Sequence, residues 1–282
     1  MNKKQIAISA AVVVIMGYLY YLPVKGLIKP KEAKPDKTSV MTGNRKAATA
    51  VTVDMVSTTA KTAIGAALTA KINDLEGQLK NASGADEQKL QKQLASQWDD
   101  VNQPAPAAFY YQALARKENK LEDWLNAGNR FNDAYKLTQD TLTQPAFVTN
   151  AVEAFQSALK LKPESLEGKT GLGVAYVNGG ASPMQGIALL LEVVKKDPNN
   201  WNANLNLGMF AMKSGQYQKA VGRFKTLIAQ KQELEPTFYL AESYKQLGMK
   251  KEAIDAYQKC KEMMPDPVFG QRIDEYIKEL KN

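Results

Sequence analysis

Reactive side chains are scarce in this chain, and their types narrow the chemistry. The 282 residues include no His and a single Cys, Cys260. Without His there is no Ser-His-Asp or Cys-His relay, and the commonest metal ligand is missing. Cys260 cannot form an internal disulfide. It falls at a small-residue position of a helical pattern and reads as a packed thiol, not a nucleophile. Gly168-Lys169-Thr170 matches the end of a phosphate-binding loop, but Pro163 stands where that motif needs Gly. The segment also opens a helix and follows no strand. Gly171-Leu172-Gly173 fails as a dinucleotide fingerprint for the same reason. The neighbouring carboxylates Asp99-Asp100 and Glu122-Asp123 point to different sides of a helix and are expected to be solvated. The three tryptophans, Trp98, Trp124 and Trp201, read as packing residues. No enzyme, cofactor, metal or small-molecule substrate is implied.

The formal net charge of +8 raises nucleic acid as a partner, so its distribution matters. Residues 1–46 carry nine Lys/Arg against two Asp/Glu, a net of +7, which leaves +1 for the whole remainder. A nucleic-acid-binding body needs a basic stripe of its own. The sequence therefore predicts no nucleic-acid role.

The basic leader surrounds an apolar run. No charge occurs over the 20 residues between Lys4 and Lys25, and Ile6–Leu22 fills most of that stretch. About 20 helical residues cross the roughly 30 Å of bilayer hydrocarbon. Tyr18, Tyr20 and Tyr21 suit the headgroup interface at one end. No small-x-small cleavage site follows the run, because Tyr20-Tyr21-Leu22-Pro23 occupies the place. Residues 5–24 are thus expected to be an uncleaved transmembrane anchor. Orientation signals conflict. Lys3 and Lys4 favour an N-in span with the body in the periplasm, whereas the lysines from Lys25 to Lys37 favour a cytoplasmic body. We read the former, at the inner membrane.

Residues 25–47 contain Pro30 and Pro35 among many lysines and read as an extended linker. An amphipathic helix is expected over 48–82. Ile64, Leu68, Ile72, Leu75 and Leu79 recur there at helical spacing. That stripe serves either docking or packing on its own neighbours. A degenerate helix pair is expected over 83–120. No strand-like alternation of useful length occurs, so the fold class is all-α.

Self-similarity is the strongest signal. Leu207 and Leu240, Gly208 and Ala241, Gly215 and Gly248, Ala220 and Ala253, and Phe224 and Tyr257 are each 33 residues apart. Leu172, Gly173, Gly180, Ile187, Leu190 and Pro198 repeat the theme upstream. A further copy is split by about eleven residues, with Trp124, Ala127, Gly128 and Phe131 in one half and Ala151, Phe155, Ala158 and Pro163 in the other. Small residues let paired helices approach, large ones fill the gap, Gly ends the first helix and Pro follows the second. One such pair cannot bury its apolar face alone, so pairs must stack. Phe269, Ile273, Tyr276, Ile277 and Leu280 form one stripe over 268–282, which is expected to cap the stack.

This pattern over 121–267 resembles the tetratricopeptide repeat (TPR) family. Ala211 and Gln232 depart from it, where Tyr and Pro are usual. The resemblance implies a right-handed α-solenoid of TPR helix hairpins, here preceded by an N-terminal transmembrane helix. It also implies a groove for polypeptide, lined by the first helix of each pair. Carried onto this sequence, that face includes Asn129, Val174, Leu205 and Met209, followed by Met212, Phe238, Glu242 and Lys245. Its apolar members suit an apolar or amphipathic segment. Alternatively they contact an adjacent repeat or the 48–82 helix. The Lys/Asn set that clamps a C-terminal carboxylate is not reproduced. The whole chain resembles bacterial single-span TPR proteins, some of which accompany protein-translocation or envelope-assembly machinery. The implied function is a membrane-anchored, chaperone-like scaffold or adaptor whose partner is a membrane complex or an exported polypeptide. The alternative is a permanent structural subunit that makes no use of the groove.

Overall fold

The computed structural model describes residues 51–281. The expected anchor over 5–24 and linker over 25–47 lie outside the described residues. Among the described residues no helix is long and apolar enough to cross a membrane. Thirteen helices and no strand occur there.

The first four helices are α1 (Val53–Lys61), α2 (Ala66–Lys80), α3 (Gly84–Asp100) and α4 (Pro104–Glu118). The single helix expected over 48–82 is two. The break has local and tertiary causes. Thr59 and Thr62 hydroxyls donate to the carbonyls of Met55 and Thr59, competing with helix continuation. Gly65 then adopts an extended conformation ahead of α2. The two halves also bury against different neighbours, α1 on α4 and α2 on α3. The apolar stripe of α2 packs there, with Ile72 fully buried beside Leu94, Trp98 and Tyr110. Glu76 ties the group together by accepting from Ser57, Lys61 and Tyr110.

Four helix pairs follow. They are α5 (Leu121–Leu137) with α6 (Gln144–Leu161), α7 (Leu166–Gly179) with α8 (Pro183–Lys196), α9 (Trp201–Lys213) with α10 (Tyr217–Gln230), and α11 (Leu234–Gln246) with α12 (Lys250–Met263). A last helix, α13 (Pro267–Lys281), ends the stack. Each helix packs on the next, and the first helices also meet down the stack as α5–α7, α7–α9 and α9–α11. This is an α-solenoid of helical hairpins.

The punctuation follows from the residues. Gly180, Gly215 and Gly248 sit at φ of 67°, 72° and 71°, the left-handed region, immediately after or near the end of each first helix. Ser165 and Asn200 cap α7 and α9 by accepting from the amides of Gly168 and Ala203, both at 3.0 Å. Pro163, Pro198 and Pro265 each lie two residues beyond the end of a second helix.

Packing explains the small residues. A Cβ at Gly171 would lie 2.1 Å from the Phe155 ring, and one at Gly128 would lie 2.7 Å from the same ring. One aromatic ring thus fills the space between α5 and α7. Gly208 plays the same part against Phe224. Gly173 and Gly186 let α7 and α8 cross backbone to backbone. Fully burying a ring of this kind stabilises by roughly 1.5–3 kcal/mol. α13 closes the end through Ile273, Ile277 and Leu280, which join the buried cluster around Tyr257 and Cys260.

Candidate functional site

The first helices place two distinct surfaces on one face of the stack. Upstream, α5, α7 and α9 enclose a cleft of about 450 Å³. Asn129, Val174 and Leu205 of the expected groove line it. The rest of the lining is mostly polar and includes Arg130, Asn132, Asp133, Lys136, Glu167, Thr170 and Asn206. Asn129 donates to Glu167 at 2.7 Å across the α5–α7 gap. Arg130 is already neutralised, pairing with Asp99 at 2.6 Å and Asp133 at 3.2 Å. Asp99, expected to be solvated, is therefore structural, and it also accepts from the Tyr111 hydroxyl at 2.9 Å. Burial and that bond push the Tyr111 hydroxyl up to about 12.

Downstream, the same face is filled by the chain itself. Phe238 meets Tyr239, Tyr257 and Tyr276 with ring centroids 6.0–6.4 Å apart. Glu242 accepts from the Tyr257 hydroxyl. Lys245 pairs with Glu279 of α13 at 3.1 Å and lies 5.0 Å from the Tyr276 ring centroid. Met212 packs at the edge of the same cluster. Met209 is half-buried one turn beyond Leu205 and does not line the cleft. The eight expected residues therefore do not form one surface. Three line an open cleft, while Met212, Phe238, Glu242 and Lys245 are engaged by the chain's own side chains.

Asn132, Thr170 and Asn206 also line the cleft and lie outside the expected set, although that set included the polar Asn129, Glu242 and Lys245. A signal existed. Asn206 immediately precedes the Leu207-Gly208 packing pair, and Asn132 follows Phe131, so both are polar residues set beside core positions.

The remaining reactive groups are structural. Lys169, of the rejected phosphate-loop match, pairs with Glu192 at 2.7 Å. Cys260 is fully buried, and burial pushes its thiol up to about 12, far from thiolate reactivity. Among the described residues no group of His, Cys, Asp or Glu could hold a metal ion.

Comparison with known proteins bears on the same elements. Two family models described as tetratricopeptide repeat match residues 189–222, across the α8–α10 region, and 238–266, across α11 and α12. The chain carries tetratricopeptide repeats over these residues. Its TPR fold resembles that of a thermophilic TPR protein in Thermus thermophilus, at 20% identity and a TM-score of 0.53, over 67% of this chain and 97% of that one. The MamA protein matches at 17% identity and a TM-score of 0.46, over 64% of this chain and 92% of that one. YrrB, described as a TPR protein with an unusual peptide-binding site, matches at 16% identity and a TM-score of 0.44, over 66% and 91%. No curated protein matches the sequence.

Proposed function

We propose that this TPR chain is a protein-interaction scaffold that receives a polypeptide in the cleft between α5, α7 and α9. One observation carries the reading. The cleft is lined mainly by polar side chains outside the apolar core, while the Phe155 ring, seated against Gly128 and Gly171, sets the spacing of α5 and α7. A repeat stack presents such a surface because its packing signature occupies only one side of each first helix. The apolar, Lys-flanked segment over 5–24 supports a membrane anchor, and with it an inner-membrane location with the body on the periplasmic side. An anchor raises the local concentration of the body beside a membrane complex without any new contact. A chaperone-like or accessory role in translocation or envelope assembly fits that placement.

A photo-crosslinking residue at Leu205, compared with one at the exposed Lys219 of α10, tests the reading in intact membranes. Crosslinks to a polypeptide from Leu205 and none from Lys219 support it. Equal products from both positions sink it. Protease access in spheroplasts reports the side of the membrane on which the body lies.

A second reading has its own support. The filled face around Phe238 and Lys245 leaves that half of the stack without an open groove, as expected of a permanent structural subunit. Salt-stable, stoichiometric co-purification would favour it.

A further inference from the structure

We infer that the long α5–α6 connection builds a second docking surface, a pocket that takes the apolar face of a partner's amphipathic helix with Lys or Arg beside that face. The eleven residues that split this repeat have a definite place. α5 ends nine residues after Gly128, whereas α9 ends five after the matching Gly208. α6 starts seven residues before Ala151, whereas α10 starts three before the matching Ala220. Residues 138–143 join α5 to α6, where 214–216 suffice between α9 and α10. The insertion therefore adds a helical turn on either side of a longer connection. These added turns, the start of α4 and α1, which packs on α4, enclose a pocket of about 480 Å³. Met55, Val56, Ala60, Pro104, Leu137 and Phe147 make its apolar lining. It shares no lining residue with the cleft between α5, α7 and α9.

The chemistry of the pocket selects its occupant. Met55 and Leu137 are 43% and 59% exposed. Leu142, on the connection, is 85% exposed, the most of any large apolar side chain among the described residues. Apolar side chains gathered at a concave site mark an interaction surface. Thr59, Thr62 and Thr143 also line the pocket, but their hydroxyls donate to the carbonyls of Met55, Thr59 and Asp140 at 3.2, 2.7 and 3.0 Å. Few donors are left for the main chain of a ligand, so the ligand must satisfy its own, as a helix does. Asp140 is the one charged residue in the lining, and no Lys or Arg pairs with it among the described residues. Lys136, one turn earlier, lines the other cleft instead. Asp54, exposed beside Met55, adds negative charge. These carboxylates favour a cationic flank on the occupant and oppose the anionic headgroup of a lipid chain.

The test displays a helical peptide library on phage, with apolar residues randomised along one face and either Lys/Arg or Asp/Glu beside that face. Both forms are panned on the full-length chain in nanodiscs, and the most enriched peptide is resynthesised. Enrichment is expected from the basic form alone. Leu137→Glu, or a Pro placed in the central turn of the peptide, should weaken binding tenfold or more. Asp140→Asn should weaken it several-fold, and Leu205→Glu, in the other cleft, by less than twofold. Thermal melting confirms that the variants fold. A photo-crosslinking residue at Leu142 should yield a product with the peptide. Products with lipid alone or with a second copy of the chain overturn the inference, as does enrichment of the acidic form, no enrichment at all, or binding that survives Leu137→Glu in a folded protein. Binding lost on Leu205→Glu but kept on Leu137→Glu overturns it too and supports the proposed function, whose own crosslinking test at Leu205 is independent of this pocket.

Discussion

Two stretches of one face have opposite fates. Across α5, α7 and α9 the free positions are occupied by Asn, Thr and ion-paired residues, and a cleft stays open. Across α11 and α13 they are occupied by Phe238, Tyr276 and Lys245, and the face is filled. The hairpin architecture is the same in both. The repeat signature therefore decides how the helices stack, while the residues beside it decide whether the resulting surface is available.

The filled end should break most readily at Ile273. It is fully buried, and Ile273→Ala leaves a cavity beneath α13, at a cost of about 2–5 kcal/mol. Urea denaturation should show that loss, with faster hydrogen exchange in α11 and α13 and little change in α5. Uniform exchange along the chain would erase the distinction between the two ends. Next comes the open end. Gly171→Ala drives a methyl group to 2.1 Å from the Phe155 ring and should cost about 1–3 kcal/mol as α7 is pushed from α5. A melting temperature equal to wild type would refute the role given to that glycine.

Alkali sharpens the contrast further. Burial, then the bond to Glu242, raises the Tyr257 hydroxyl, and burial pushes Cys260 up to about 12. Both groups hold their protons more tightly folded than unfolded. Their contribution is complete below the ordinary values of about 8.5 for Cys and about 10 for Tyr, and it is lost as pH rises through those values toward the folded ones. The urea midpoint should fall between about pH 8.5 and about pH 11.5. Tyr257→Phe should flatten the part above about pH 10. An unchanged slope in that variant would count against the buried, Glu242-bound hydroxyl. The smallest effect is expected at the exposed Lys261–Asp274 pair, where Asp274→Asn should change stability by under about 1 kcal/mol.

Most of the stack could be read from spacing. The 33-residue interval locates Leu207 with Leu240 and Gly215 with Gly248, and both glycines adopt the left-handed conformation that their positions require. Helical periodicity also finds the stripe of α2, but it misses the break at 62–65. A stripe at steps of three and four does not record which helix each half will meet. The site was less legible. Phe238 and Met212 stand at positions the packing signature leaves free, yet Tyr276, more than 30 residues further on, covers the first of them. Polar residues such as Asn132 and Thr170 carry no periodic signal, and their place on the cleft emerges only when α5, α7 and α9 are set side by side.

A structure that grows by adding like units contains no intrinsic stopping rule. Here the stop is a single amphipathic segment, whose Ile273, Ile277 and Leu280 lie against the last hairpin while Arg272, Glu275 and Lys278 meet water. Without it, the bare surface of α12 would be a template for the leading helix of another molecule. Repetition within one chain would then continue between chains, as head-to-tail fibres.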